Sequence, residues 1–232
     1  MTVVLRRGVI SRCMAEGCGC AFLMAAATAS TISSGRLFLS PSLHLVTVAF
    51  CLAAALFLAT AAAPKAYFNP LFALIGAAGG EVSLNEAIVY TACQILGAIS
   101  SVIAVQAGFN LDPVQASSLP AQWLLPVHDF VFGTIFVIAI ALMQRKMDNR
   151  FTLAALSAAA FAAMNLASLG TCFANPAISV ARIVTSNSLA FSTLQAVLEA
   201  ASECLSALVA IVALAWLDRR QSNARRCTFV SN

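Results

Sequence analysis

Two Asn-Pro triplets, one in each half of the chain, constrain the fold more than any other feature of this sequence. They are Asn69-Pro70-Leu71 and Asn175-Pro176-Ala177. Asn is a strong helix N-cap and Pro suits the first helical position, so each triplet predicts the start of a helix. The apolar stretch after each triplet is shorter than the roughly 20 residues that a membrane-spanning helix needs. Each triplet therefore predicts a short helix rather than a full span.

Such short helices point to a pore when the rest of the chain lies in lipid. A helix start carries unpaired backbone N–H groups and a partial positive charge. In the middle of a bilayer it is tolerated only where it is buried in protein or lines a wet cavity. We therefore interpret the two triplets as the starts of re-entrant half-helices that line a pore.

The composition is typical of an integral membrane protein. Hydrophobic residues make up 61% of the 232 residues and charged residues only 9%, against about a quarter charged in soluble domains. This length accommodates roughly six spans with short connections and no sizeable soluble domain. The basic residues do not form a stripe with interleaved aromatics, so the expected partner is the lipid bilayer and not nucleic acid.

The apolar runs predict an inverted repeat. Six spans are expected near residues 9–31, 43–63, 86–106, 127–144, 151–169 and 195–217. The short segment at Asn69 falls between the second and third spans, and the one at Asn175 between the fifth and sixth. Three spans and one re-entrant segment thus occur twice, and an odd number of spans per copy inverts the second copy.

The predicted fold class is an all-α membrane protein with six transmembrane helices plus two re-entrant half-helices. We expect one channel domain over residues 1–232, whose repeats cover about 9–106 and 127–217, followed by a tail at 218–232. Basic residues concentrate on the cytoplasmic side of short loops. With the N-terminus inside, only Arg36 and Arg182 fall on the other side, whereas the cytoplasmic side receives Arg6, Arg7, Arg12, Lys65, Arg145, Lys146, Arg150, Arg219, Arg220, Arg225 and Arg226. Both termini are therefore predicted to be cytoplasmic.

Other readings of single segments are weaker. Arg6 and Arg7 before an apolar run could mark a secretory signal, but Glu16 interrupts that run and its removal would leave five spans. Most cysteines lie inside predicted spans, where they act as small hydrophobes. His44 and His128 are isolated, so we expect no enzymatic activity, no metal site and no cofactor.

Flanking motifs resemble those of the major intrinsic protein family, the aquaporins and aquaglyceroporins. Glu16 with a Gly three residues later resembles the family's first-span pattern, and Gln94 before Gly97-Ala98 resembles its third-span pattern. Asp129 with Gly133-Thr134 resembles the Glu16 region less closely, because the acid and the glycine are four residues apart instead of three. The resemblance covers nearly the whole length of the chain.

The resemblance implies a mechanism and a set of supporting residues. Asn69 and Asn175 would meet near the bilayer midplane, each with its side-chain carbonyl tied to its own half-helix and its amide facing the lumen. A passing water would accept from both and break the proton wire, while the two helix starts would repel cations, as described for aquaporin-type pores. Glu16 and Asp129 would accept hydrogen bonds from the re-entrant loops, and Gln94 belongs to the same anchoring group.

Two departures from the family pattern concern selectivity. Leu71 replaces a small Ala, and Ile178 stands where the family usually places an Arg in its outer constriction. The seventh residue after Asn175, Arg182, could take over that role but would lie about 10 Å deeper along the helix. The remaining constriction positions fall on Cys172, on Ala163 with Met164 next to it, and on Ala49 or Phe50. The expected filter is therefore wide and apolar.

The expected function is a passive channel for water and small uncharged solutes such as glycerol, urea or hydrogen peroxide, with lower water permeability than a dedicated water channel. The family resemblance implies a homotetramer and leaves plasma and intracellular membranes open. One alternative is a secondary active transporter, for which Glu203 is the candidate coupling residue, with Glu199 four residues before it. Another is a non-conducting structural member of the family, an alternative that is suggested by the departures from the family pattern at Leu71 and Ile178.

Overall fold

A computed structural model describes residues 7–37, 39–112, 122–170, 172–185 and 190–230, with the backbone alone for residues 7 and 221–230. Within these residues the chain forms eight α-helices and one 3₁₀ turn at Arg182–Val184. The α-helices are α1 (Arg7–Arg36), α2 (Pro41–Ala62), α3 (Pro70–Ala78), α4 (Leu84–Gly108), α5 (Leu125–Lys146), α6 (Arg150–Ala167), α7 (Pro176–Ala181) and α8 (Thr193–Val230).

Six of the described helices are long and apolar enough to cross a membrane: α1, α2, α4, α5, α6 and α8. The six predicted spans are confirmed. Every one of these helices begins slightly before its predicted span, and all but α2 and α6 also end after it. The protein is thus a multi-pass membrane protein. Helix α8 continues without a break to Val230, through most of the predicted tail. Arg6 and residues 231–232 lie outside the described residues.

Local sequence signals define where the helices begin. Ser40 caps α2, its hydroxyl accepting from the Leu43 N–H, and Pro41 occupies the first turn. Ser83 and Glu86 form a capping box at the start of α4, in which each side chain accepts from the other residue's backbone N–H. These caps satisfy N–H groups that would otherwise lack partners where the helices enter lipid.

The two half-helices lie in the middle of the bundle. Helix α3 begins at Pro70 with Asn69 as its N-cap, and α7 begins at Pro176 with Asn175 as its N-cap. Each packs against both α4 and α8, the last long helix of each repeat. The predicted fold of six spans plus two re-entrant half-helices is confirmed.

An even number of spans places both chain ends at the same end of the bundle. We call this end the terminal face and the opposite end the far face. Helix α2 ends and α6 begins at the terminal face, whereas α4 ends and α5 begins at the far face. The half-helices α3 and α7 start at mid-depth and run toward the terminal and far faces, respectively.

Helices α1 and α4 pack closely because glycine removes side chains from their contact. A Cβ atom added at Gly97 of α4 would lie 2.1 Å from the Gly17 carbonyl oxygen of α1. This close approach brings Glu16 of α1 beside Gln94 of α4, which matters for the site described below. Packing of small residues replaces the hydrophobic effect as the force that holds helices together in lipid.

Gly97→Ala is expected to destabilise the protein by about 1–3 kcal/mol or more, because the new methyl group would push α4 away from α1. Gly108→Ala is the matched control on the same helix, since no atom lies within 4 Å of its added Cβ. Thermal unfolding in detergent measures both. Equal unfolding temperatures for the two variants would contradict the close packing of α1 and α4.

Candidate functional site

Both asparagines cap their own half-helix with the side-chain carbonyl. Asn69 Oδ1 accepts from the Leu71 N–H at 2.9 Å, and Asn175 Oδ1 accepts from the Ala177 N–H at 3.1 Å. Both asparagines are buried and extended in backbone conformation. Each cap satisfies one of the free N–H groups at a helix start. The side-chain amide of each Asn is left to point away from its own helix.

The two asparagines hold the half-helices together through reciprocal hydrogen bonds. Asn69 Nδ2 donates to the Ala174 carbonyl oxygen at 2.6 Å, and Asn175 Nδ2 donates to the Phe68 carbonyl oxygen at 2.9 Å. Each amide therefore binds the residue that precedes the other asparagine. The arrangement is two-fold symmetric and puts the two helix starts directly opposite each other. Since a side-chain amide has two N–H groups, each retains one for a passing molecule.

Backbone strain accompanies this pair in both repeats. Phe68 has φ 54° and Ala174 has φ 46°, in the left-handed region that non-glycine residues seldom adopt. Such a residue costs on the order of 1–3 kcal/mol, and strain of this kind persists only where surrounding contacts impose it. Here it turns the carbonyl of each residue toward the opposite asparagine.

A buried glutamate holds the first re-entrant loop. Glu16 accepts from the backbone N–H groups of Tyr67 and Phe68, each at 2.7 Å, and from the Gln94 side-chain amide at 2.8 Å. The guanidinium of Arg12, one turn earlier on α1, lies 3.9 Å from the carboxylate and balances its charge. Glu16 thus joins α1, α4 and the loop that carries Asn69.

The second loop is held by a different helix from the one predicted. Glu203 of α8 accepts from the backbone N–H of Asn175 at 2.8 Å and from the Ser179 hydroxyl at 3.0 Å. Asp129 was expected to bind the backbone here, but its Oδ1 atom is buried without a hydrogen-bond partner. The assignment of the backbone contact to Asp129 is therefore wrong. In the sequence, Glu203 is an acid inside a predicted span, where it is the candidate coupling residue of a transporter.

Helix register explains the change. A Cβ atom at Gly19 would strike the Phe68 ring, and one at Gly133 would meet the Ala174 side chain. The two glycines therefore occupy equivalent places in the two repeats. Counting back three residues from Gly133 reaches Phe130, not Asp129, and one residue is a turn of about 100° on a helix. The carboxylate that holds the second loop comes instead from Glu203 of α8. Helix α8 corresponds in the second repeat to α4, which carries Gln94 in the first.

Leu71 leaves the asparagine geometry intact. Its side chain is fully buried in the core cluster of the bundle, and its N–H still donates to Asn69. The larger side chain is thus accommodated in the core while the cap of α3 stays in place.

A cavity extends from the asparagine pair toward the terminal face. It has a volume of about 70 Å³ for the centres of water molecules, whereas about 10–15 Å³ suffices for one, so several fit. Asn69, Asn175 and Ile178 line the central end of this cavity, and Gln144 and Thr60 line the end near the terminal face. Its wall also includes Leu23, Leu52, Leu56, Phe68, Phe72, Phe136, Ile140, Leu153, Ser157, Phe161 and Phe173.

The predicted constriction residues divide between the inside and the outside of the bundle. Cys172 is buried, with its Sγ 3.7 Å from Met164 Sδ, and Ala49 and Ile178 are buried too. Phe50, in contrast, is 73% exposed and shares an outward face of α2 with Leu43, Val46 and Leu58.

The structure therefore contradicts the assignment of Phe50 and Ala163 to the constriction. Ala163 is exposed and lies on the same face of α6 as Leu156 and Leu166, whereas the adjacent Met164 is buried beside Cys172. In both cases the neighbouring residue faces inward, because one residue rotates a helix position by about 100°. Ala49 and Met164 are the inward-facing residues at these positions.

Known proteins share both sequence and fold with this chain. No protein-family model matches the chain. Over 213 residues it is 28% identical to the aquaglyceroporin AqpS of Rhizobium meliloti (strain 1021), covering 89% of each chain. The chain is thus similar in sequence to an aquaglyceroporin over most of its length. Its fold also matches the aquaglyceroporin structure from Plasmodium falciparum, with a TM-score of 0.71 and 15% identity over 88% of this chain and 94% of that one.

Further charged groups are buried near α7: Arg182 just after it and Glu199 of α8. The guanidinium of Arg182 lies 3.4 Å from the centroid of the Phe191 ring and 5.1 Å from that of Phe173. Glu199 accepts from the Gln195 side-chain amide one turn earlier on α8.

Glu203→Ala is expected to destabilise this protein by about 1–3 kcal/mol, because the Asn175 N–H would lose its acceptor while remaining buried. Glu203→Gln keeps a side-chain oxygen that can accept the same bond, so it should recover part of that loss. Thermal unfolding in detergent compares the two variants. If both unfold at the same temperature as the unmodified protein, Glu203 does not hold the second loop.

Proposed function

We propose that this protein is a passive transmembrane channel for water and small uncharged solutes such as glycerol, urea or hydrogen peroxide. One observation carries the proposal: two Asn-capped helix starts are held face to face at the end of a water-sized cavity. The aquaglyceroporin relative supports the same solute class.

The asparagine pair accounts for passage without proton leakage. A water molecule between Asn69 and Asn175 accepts a hydrogen bond from the remaining amide N–H of each. Both of its lone pairs are then engaged, so it cannot relay a proton along the file. The positive ends of α3 and α7 meet at the same point and oppose cations. Neutral molecules are thus the favoured permeants.

The constriction on the far side of the asparagine pair, which we call the far constriction, admits solutes larger than water. We assign it to Ala49, Met164, Cys172 and Ile178, all of which are buried and none of which is charged. Without a fixed guanidinium, water has one fewer hydrogen-bond donor there, and the opening is wider. Glycerol presents both carbon and hydroxyl surface, so an apolar wall hinders it less than it hinders water.

The two alternatives account less well for the contacts. Active transport needs an ionisable residue free to exchange its ligand at mid-depth, but the Glu203 carboxylate is engaged by Asn175 and Ser179. A non-conducting structural role needs a closed centre, but Leu71 packs away from the cavity and leaves the Asn69 amide in place.

Orientation and assembly belong to the same proposal. Arg145, Lys146, Arg150, Arg219 and Arg220 lie at the terminal face, so we place both termini in the cytoplasm. Side chains such as Leu43, Val46 and Leu58 form an apolar outer face on α2, which suits contact with lipid or with other copies in a homotetramer.

Stopped-flow light scattering of proteoliposomes tests the proposal with water, glycerol and urea. The unmodified protein should conduct at rates that do not change when a proton or sodium gradient is imposed. Ile178→Arg should reduce glycerol and urea permeability more than water permeability, because the long cation narrows the lumen and supplies a donor to water.

Empty liposomes and the outward-facing Val46→Ala variant serve as controls, the latter matching the unmodified protein. A flux that depends on an ion gradient would contradict the passive mechanism. If Ile178→Arg leaves every permeability unchanged, Ile178 does not border the permeation path.

A further inference from the structure

The inverted repeat places Phe72 of the first half at the position equivalent to Ile178 of the second half. Ile178 is the third residue after Asn175, and Phe72 is the third residue after Asn69. Both line the central cavity. Because α3 and α7 run in opposite directions from the asparagine pair, Phe72 occupies on the terminal side the place that Ile178 occupies on the far side. The bulkier residue of the two lies on the terminal side.

Two further phenylalanines that line the cavity, Phe136 and Phe161, continue the aromatic contacts of Phe72. The Phe72 and Phe136 ring centroids are 6.3 Å apart with the planes at 70°, and those of Phe136 and Phe161 are 5.7 Å apart at 65°. Edge-to-face geometry of this kind stabilises each pair beyond the burial of its surface. The three rings come from α3, α5 and α6, and together we call them the aromatic cluster.

The neighbouring part of the cavity wall is apolar as well. It consists of Leu23 of α1 with Leu52 and Leu56 of α2. The polar side chains lie toward the two ends of this segment, with Asn69 and Asn175 at the centre and Thr60, Tyr67, Gln144 and Ser157 toward the terminal face. A molecule that crosses this segment therefore leaves one set of hydrogen-bond partners before it reaches the next.

We propose that the aromatic cluster of Phe72, Phe136 and Phe161, on the terminal side of the asparagine pair, determines which neutral solutes pass. This inference rests on the proposed channel function and adds the place where selection occurs. The far constriction, by contrast, contains no aromatic side chain.

The chemistry of the segment defines the favoured solutes. Water crossing it gives up hydrogen bonds and gains little from aromatic and leucine side chains, so an apolar segment resists wetting. A small polyol or amide also contacts these side chains with its carbon atoms and recovers part of that loss by dispersion. The ring edges set the upper limit on its cross-section. The cluster therefore admits compact neutral solutes with some carbon surface and slows water.

The test compares proteoliposomes containing the unmodified protein, Phe161→Ala, Phe161→Leu, Ile178→Ala and Ile135→Ala. Ile135 precedes Phe136 on α5 but is 62% exposed on the outside of the bundle, so its truncation is the matched control. Stopped-flow light scattering measures permeability to water, urea, glycerol and a four-carbon polyol. Phe161→Leu keeps an apolar side chain of substantial volume, so the test does not depend on one variant folding.

Phe161→Ala is expected to raise glycerol and four-carbon polyol permeability by about two- to tenfold, because removal of the ring widens the segment and lowers the barrier to passage. Phe161→Leu should give a smaller increase, Ile135→Ala none, and Ile178→Ala less than Phe161→Ala. Size-dependent increases in this order support selection by the aromatic cluster.

Failure of this inference differs from failure of the proposed function. If the unmodified protein conducts but neither Phe161 variant differs from Ile135→Ala, selection does not occur at the cluster. A greater effect of Ile178→Ala than of Phe161→Ala would place selection at the far constriction. If neither the unmodified protein nor any variant exceeds empty liposomes, the channel function and this inference both fall.

Discussion

The reciprocal hydrogen bonds between Asn69 and Asn175 and the opposing loops are the contact on which the rest of the structure depends. They hold two helix starts, each with a partial positive charge, against one another in the interior of a membrane protein. That arrangement is unfavourable unless the N–H groups are satisfied and the loops are fixed. The left-handed backbone at Phe68 and Ala174, the Asn caps and the two buried glutamates each contribute to fixing them.

The two repeats meet this requirement with one backbone geometry and different side chains. In the first repeat Glu16 binds the loop and is itself bound by Gln94. In the second repeat Glu203 supplies the carboxylate from α8 and is bound by Ser179. The backbone N–H groups need an acceptor in either case, and nothing requires it to come from the same helix. The cavity walls diverge in the same way, with Phe72 on one side of the centre and Ile178 on the other.

Much of this architecture could be predicted from the sequence, and the errors share one cause. The spans, the half-helices and their caps follow from apolar run length and from Asn-Pro chemistry, both of which act locally. Ala163, Asp129 and Phe50, the last of which was predicted as an alternative to Ala49, each miss the expected face of a helix by a single residue. A loop of uncertain length shifts the register of the following helix, and one residue of shift turns a side chain by about 100°. Sequence spacing alone does not resolve such a shift.

The sequence by itself determined that this chain crosses a membrane six times and starts two short helices inside it, because span length and helix capping depend on neighbouring residues. Only the tertiary structure decided that Glu203 replaces Asp129 at the second loop, that Leu71 packs away from the cavity, and that three phenylalanines from α3, α5 and α6 meet beside the asparagine pair. Each of these outcomes depends on how distant helices are rotated and packed against one another, and close packing between helices is not encoded in any one segment.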